Sequence, residues 1–188
     1  MRIKMKKDIY NNVYEGMINE AKAKYQLTDE SRKYNGKTLY RIVALSSFGK
    51  VKSGDKGGWV ESDKNLSQKG KCWVDEDAKI LGKARVYGDS LVTGSAVVSD
   101  NATIDERANV GGLSEISGYA EITGDAVIYD YAKISDKASV NGKAEVDGNA
   151  KIHHNAMITD NAKVTGSSDV GGSAIINGST RYTSGKYV

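Results

Sequence analysis

From Val74 onward the apolar positions of the chain fall on a strict beat of six. Steps of six from 74 to 176 land on eighteen residues, each Val or Ile, from Val74, Ile80 and Val86 to Val164, Val170 and Ile176. Four places after each stands a small residue: Ala78, Ala84, Ser90, Ala96, and so on to Ala174 and Thr180. The third place is mostly Gly or Asp (Gly82, Gly94, Asp100, Asp160), and the fourth is often Asn or Asp (Asn101, Asp125, Asn149). A helix cannot use this pattern, because six is not a multiple of 3.6 and the apolar residue would walk around the axis. A short strand followed by a corner can. The branched residue points inward from the strand, where β-branching is favoured. The small residue points inward where two walls converge, and Gly, Asp and Asn tolerate the positive φ of a corner. Three such walls close a triangular coil of eighteen residues. The eighteen hexads therefore predict about six coils, a prism roughly 29 Å long at about 4.8 Å per coil.

The chain upstream reads differently. Residues 38–45, TLYRIVAL, predict a strand. The turn-rich stretch that follows predicts a small β cap over residues 26–73, closing the first coil with Trp59 and Trp73 as apolar anchors. Over residues 8–25, Ile9, Val13 and Met17 lie at i, i+4 and i+8 with Tyr10 and Tyr14 beside them, so residues 1–25 predict an amphipathic helical extension. The β-helix proper is expected over 74–182, ending on the bulky Tyr182 as a plug assisted by Tyr187, with 183–188 as a tail.

Charge adds little. The 188 residues carry a formal net charge of +3. The whole excess sits in residues 1–25, where Arg2, Lys4, Lys6, Lys7, Lys22 and Lys24 face only Asp8, Glu15 and Glu20. No outward wall carries a basic stripe, so nucleic-acid binding is not expected. No run approaches the roughly 18 apolar residues of a membrane span, and nothing resembles a secretory leader. With Cys72 as the single cysteine, no internal disulfide forms. The expectation is a soluble, cytoplasmic protein.

The eighteen hexads resemble the hexapeptide-repeat, left-handed parallel β-helix family. The left hand comes from that resemblance, since general connection rules favour right-handed crossovers. The frame of GGWV (57–60), NLS (65–67) and CWV (72–74) ahead of the hexads is similar to hexapeptide-repeat proteins labelled as transferases in enterobacteria, with many relatives carried by phages and prophages. That similarity covers about residues 25–182 and brings no settled activity with it. In the wider family the resemblance implies CoA-dependent acyl transfer, with three subunits side by side and a histidine at a subunit boundary as general base.

The only histidines are His153 and His154. The register puts His153 on a flat wall and His154 at a corner, both toward solvent. Three features count against catalysis: no loop interrupts the hexads, no acceptor loop follows them, and no carboxylate is plainly placed to orient an imidazole. Neighbouring coils supply Asp136, Asp160 and Asp169 only in principle. The γ-class carbonic anhydrases share the helix but need three histidines from two subunits. Two adjacent histidines that diverge on extended backbone do not meet that need, so no metal and no cofactor are expected. Acetyl-CoA belongs only to the acyltransferase alternative.

What the register offers instead is a surface. One wall presents Trp73, Leu91 and Val127, flanked by Tyr129, with Leu113 and Tyr131 on the adjoining corner. An apolar and aromatic patch of this kind predicts a contact site. Either the N-terminal helix (Ile9, Tyr10, Val13, Tyr14, Met17) lies over it, or both surfaces meet a protein partner or a second copy in a homo-oligomer. The function read from the sequence is a non-enzymatic protein-binding scaffold. On the phage resemblance, one version is an accessory protein that blocks a host defence factor such as a CRISPR nuclease. The alternative is a hexapeptide-type acyltransferase using His153 or His154.

Overall fold

The computed structural model describes residues 23–188. They form an all-β, left-handed parallel β-helix of about seven turns, capped at its N-terminal end by an antiparallel hairpin. There is no α-helix among the described residues. The helix expected over 8–25 lies outside them except for its last three positions, and of these Tyr25 opens the first strand.

That strand, β1 (Tyr25–Tyr34), turns through Asn35 and Gly36, both at positive φ, into β2 (Lys37–Ala44). Asn-Gly is the sequence such a two-residue hairpin demands. β2 pairs antiparallel with β3 (Lys56–Val60), and β3 pairs parallel with β5 (Lys79–Ile80). The hairpin thus extends one wall of the helix. From there one two-residue strand falls on every hexad, from β4 (Trp73–Val74) to β22 (Arg181–Tyr182), and β23 (Lys186–Tyr187) ends the chain.

The parallel pairing starts before the first hexad of the sequence. Trp59 pairs with Lys79, Val60 with Ile80 and Leu66 with Val86, offsets of twenty rather than eighteen. Val60 and Leu66 keep the beat of six, but Leu66 and Val74 are eight apart. Two extra residues in one corner hide the first coil and make about seven turns where the hexads alone give six.

The three walls are the predicted ones. Asn109 pairs with Val127, Glu115 with Lys133 and Glu121 with Ser139, each eighteen residues on. The Val and Ile ladder is fully buried from Val74 to Val170, and the alanines beside it are equally closed. Each branched side chain removed from water contributes about 1.5–3 kcal/mol. Where serine stands in the alanine ladder, its hydroxyl is satisfied: Ser90, Ser114 and Ser168 each donate to the carbonyl three residues back, at 2.6, 2.8 and 2.7 Å.

The corners explain the Gly/Asp alternation. At Gly94 and Gly142, at φ +68° and +67°, an added Cβ would meet the corner backbone of the next coil at 2.8 Å. A side chain is accepted there when it gains something. Asp100, Asp130, Asp136 and Asp160 all have φ near +60°. Their carboxylates accept the corner N–H of the next coil, from Gly118, Gly148, His154 and Gly178, at 2.9 to 3.1 Å. At the far end Tyr182 packs against the last core layer and meets Tyr187 edge-to-face, with centroids 5.9 Å apart.

Candidate functional site

The predicted apolar wall is only partly a surface. Trp73 is buried: Phe48 packs edge-to-face on it with centroids 5.5 Å apart, and Gly57 lets β3 approach its ring so closely that a Cβ there would lie 2.5 Å from Cζ2. Trp73 is therefore an anchor of the cap, as its pairing with Trp59 in the sequence suggested, and is removed from the contact patch. Leu91 is half-buried against the core, and Val127 is half-buried on its wall. Leu113, Tyr129 and Tyr131 are exposed, at 49%, 37% and 55%. Leu113 and Tyr131 share one corner column, and Tyr129 lies two residues before Tyr131. Tyr129 rests on Gly111, where a Cβ would come within 2.8 Å of its Cζ, so the ring lies along the wall rather than standing free. Ile9, Tyr10, Val13, Tyr14 and Met17 lie outside the described residues.

The hairpin covers the start of another wall. Leu39, Trp59 and Leu81 form a second small core, and Arg32 and Arg41 stack on the Trp59 ring at 4.1 and 5.1 Å. Asp77 clamps the hairpin to the helix, accepting from Arg32 at 2.6 Å and from Lys79 at 2.9 Å. Burial alone would raise its carboxyl, but the hydrogen bonds from Arg32 and Lys79 together hold it below the usual carboxylate range. Cys72 is buried beneath the cap. Burial pushes its thiol up, although the Lys24 ammonium 3.2 Å away works in the opposite direction.

Farther along the same wall, the structure brings together what extended backbone would have kept apart. His154 sits at a corner with φ +61°, and this left-handed turn folds its side chain back toward His153. The ring centroids are 4.7 Å apart and the two Nδ1 atoms 2.5 Å apart. The premise that the two histidines diverge therefore fails, because the corner residue is not extended. Carboxylates are also in place. His153 Nε2 lies 2.6 Å from Asp169 Oδ1, and His154 Nδ1 lies 3.7 Å from Asp136 Oδ2, the same oxygen that accepts the His154 backbone N–H. The hydrogen bond from His153 lowers the Asp169 carboxyl below its usual range. His153 is the more sheltered of the pair, its side chain 23% exposed against 64% for His154. Its imidazole lies over Gly171, where a Cβ would sit 2.2 Å from Cε1. The eighteen-residue register already held a signal for Asp136, which is one coil before His154. Asp169, which the register also offered from a neighbouring coil, sits sixteen residues after His153 and so meets its ring diagonally rather than in a column.

No family model matches the chain. The chain is 34% identical over 70 residues to the Uncharacterized acetyltransferase YdcK of Escherichia coli (strain K12), a stretch covering 32% of this chain and 22% of that protein. It thus spans about a fifth of the length of the curated relative it matches. The chain fits a hexapeptide-repeat pattern. Among the described residues no helix is long and apolar enough to cross a membrane.

Proposed function

We propose that the protein is a rigid protein-binding scaffold whose contact edge is the corner column of Leu113 and Tyr131 with Tyr129 beside it. The observation that carries this reading is the fixed posture of Tyr129 over Gly111 next to two exposed apolar side chains. Aromatic groups held in place before binding lose little conformational entropy on contact, which is what makes tyrosine an effective anchor. The uninterrupted prism behind them supplies stiffness. A photo-crosslinking residue at position 131 tests it in cells that express the full chain. The expected result is a discrete protein adduct, absent when the same probe replaces the exposed Lys137 on the next edge and lost on Leu113→Ser. Equal labelling from both positions would overturn the reading.

A second reading is favoured by the YdcK likeness together with the His153–Asp169 pair. In it the chain transfers an acyl group from coenzyme A, with His153 oriented by Asp169 to receive the acceptor's proton. Calorimetric titration with acetyl-CoA tests it directly. Absence of binding removes this reading and leaves the contact edge untouched.

A further inference from the structure

One potential ligand atom from each of His153, His154 and Asp136 converges on one point of the wall, all three within 4.8 Å of one another; the two Nδ1 atoms face each other, and His154 Nδ1 faces Asp136 Oδ2. The tautomer of His153 is set from outside. Asp169 accepts from Nε2–H at 2.6 Å, which leaves Nδ1 with its lone pair toward the cluster. A carboxylate behind the far nitrogen of an imidazole is the arrangement that orients metal-bound histidines. Asp136 faces that same point, its Oδ2 3.7 Å from His154 Nδ1.

We propose that His153 Nδ1, His154 Nδ1 and the Asp136 carboxylate form a site for a zinc-class divalent cation, with Asp169 holding His153 in the binding tautomer. Ligand atoms around a tetrahedral zinc lie roughly 3.3 Å apart. His154 Nδ1 and Asp136 Oδ2, at 3.7 Å, are close to that spacing, and the two Nδ1 atoms, at 2.5 Å, would part by roughly 0.8 Å through small ring rotations to admit the ion. Imidazole and carboxylate donors suit zinc, cobalt and nickel rather than calcium or magnesium. The site has a single address for imidazole ligation, since the sequence holds no third histidine. His154 and Asp136 are exposed, so a fourth position faces solvent. The site does not rest on the contact-edge reading. It excludes proton transfer at His153 Nδ1 while the cation is bound.

The test uses tag-free, chelator-treated full chain, titrated with Co²⁺ by visible absorption and with Zn²⁺ against a competing indicator dye. One cation per chain is expected. His154→Gly places at φ +61° the residue that the backbone accepts most easily, and the same corner column already carries glycine at 82, 118 and 172. It should weaken binding at least tenfold, as should Asp136→Asn. Asp169→Asn should weaken it by about 10–100-fold, the usual effect of losing an orienting partner. If the wild type fails to compete with the dye, or if a His153→Ala/His154→Gly double variant that keeps the wild-type circular dichroism binds equally well, the site is overturned. Neither outcome bears on acetyl-CoA binding, so the two readings fail separately.

Discussion

Asp130 offers the sharpest test of how the corners hold the coils together. It sits at φ +57°, exposed, and its Oδ2 accepts the Gly148 N–H one coil on at 3.1 Å. Asp130→Gly removes that bond, a loss of about 1 kcal/mol. It also relieves the left-handed backbone, and part of that gain is offset by the larger entropy of glycine in the unfolded chain. Asp130→Ala removes the same bond and leaves an alkyl side chain in the left-handed region, where a non-glycine residue costs about 1–2 kcal/mol and no hydrogen bond compensates. Alanine should therefore be the least stable, below both wild type and Gly, with roughly 1 kcal/mol between the two variants. For a chain of this size 1 kcal/mol corresponds to about 2–4 °C in Tm, within reach of scanning calorimetry. Hydrogen exchange supplies the local readout. The Gly148 amide should exchange faster in both variants, while the Gly178 amide, held by Asp160 at 2.9 Å, should not change. If alanine proves as stable as glycine, or if Gly148 keeps its protection in both, then the carboxylate is not what selects aspartate at these corners.

Three further outcomes concern the cap and the histidine wall. The depressed Asp77 carboxyl stabilises the hairpin above its unfolded value of about 4, and that contribution is lost as pH falls through the lower folded value. The protection of the hairpin amides, relative to their intrinsic exchange at each pH, should fall on acidification in the wild type, and Asp77→Asn should flatten that fall. Gly171→Ala should push the His153 ring off Asp169 at little cost to the fold, because the clash at 2.2 Å is with the end of a side chain. Altered His153 Cε1–H resonances with an unchanged melting temperature would show it, and unchanged resonances would contradict it. Cys72, fully buried with a raised thiol, should react with a thiol reagent no faster than the cap opens. Complete modification of the folded protein within mixing time would refute that burial.

The repeat made the walls legible, because an inward residue every sixth place leaves no freedom of register once one wall is fixed. It stacks Tyr131 on Leu113, eighteen residues apart. The failures have local causes. Trp73 was assigned outward by the same count, but the Phe48 loop folds onto it, a contact between residues twenty-five positions apart that carries no period. The first coil was missed because its two extra residues fall between Leu66 and Val74, where the beat breaks. The convergence of His153 and His154 was lost to an assumption of extended backbone at a position where the repeat itself calls for positive φ. Asp169, named from the register as a neighbour, reaches His153 diagonally, two residues short of the stacking distance, so the columns alone did not pair it with the ring.

The eighteen-residue period has a consequence for size. Backbone hydrogen bonds in the regular region either close a corner within one coil, as in Ala120 N to Ser117 O, or run to the adjacent coil, as in Glu115 N to Ala132 O and Lys133 N to Ala150 O. Excising any eighteen consecutive residues between Leu91 and Ser135 would join like to like at every wall and leave Asp136 beside His154. The prism would shorten by about 4.8 Å, with the hairpin cap and the tyrosine plug unaltered. The protein is in this sense an adjustable spacer. The distance between the capped end and the histidine cluster is set by a count of coils, and one in-frame deletion resets it.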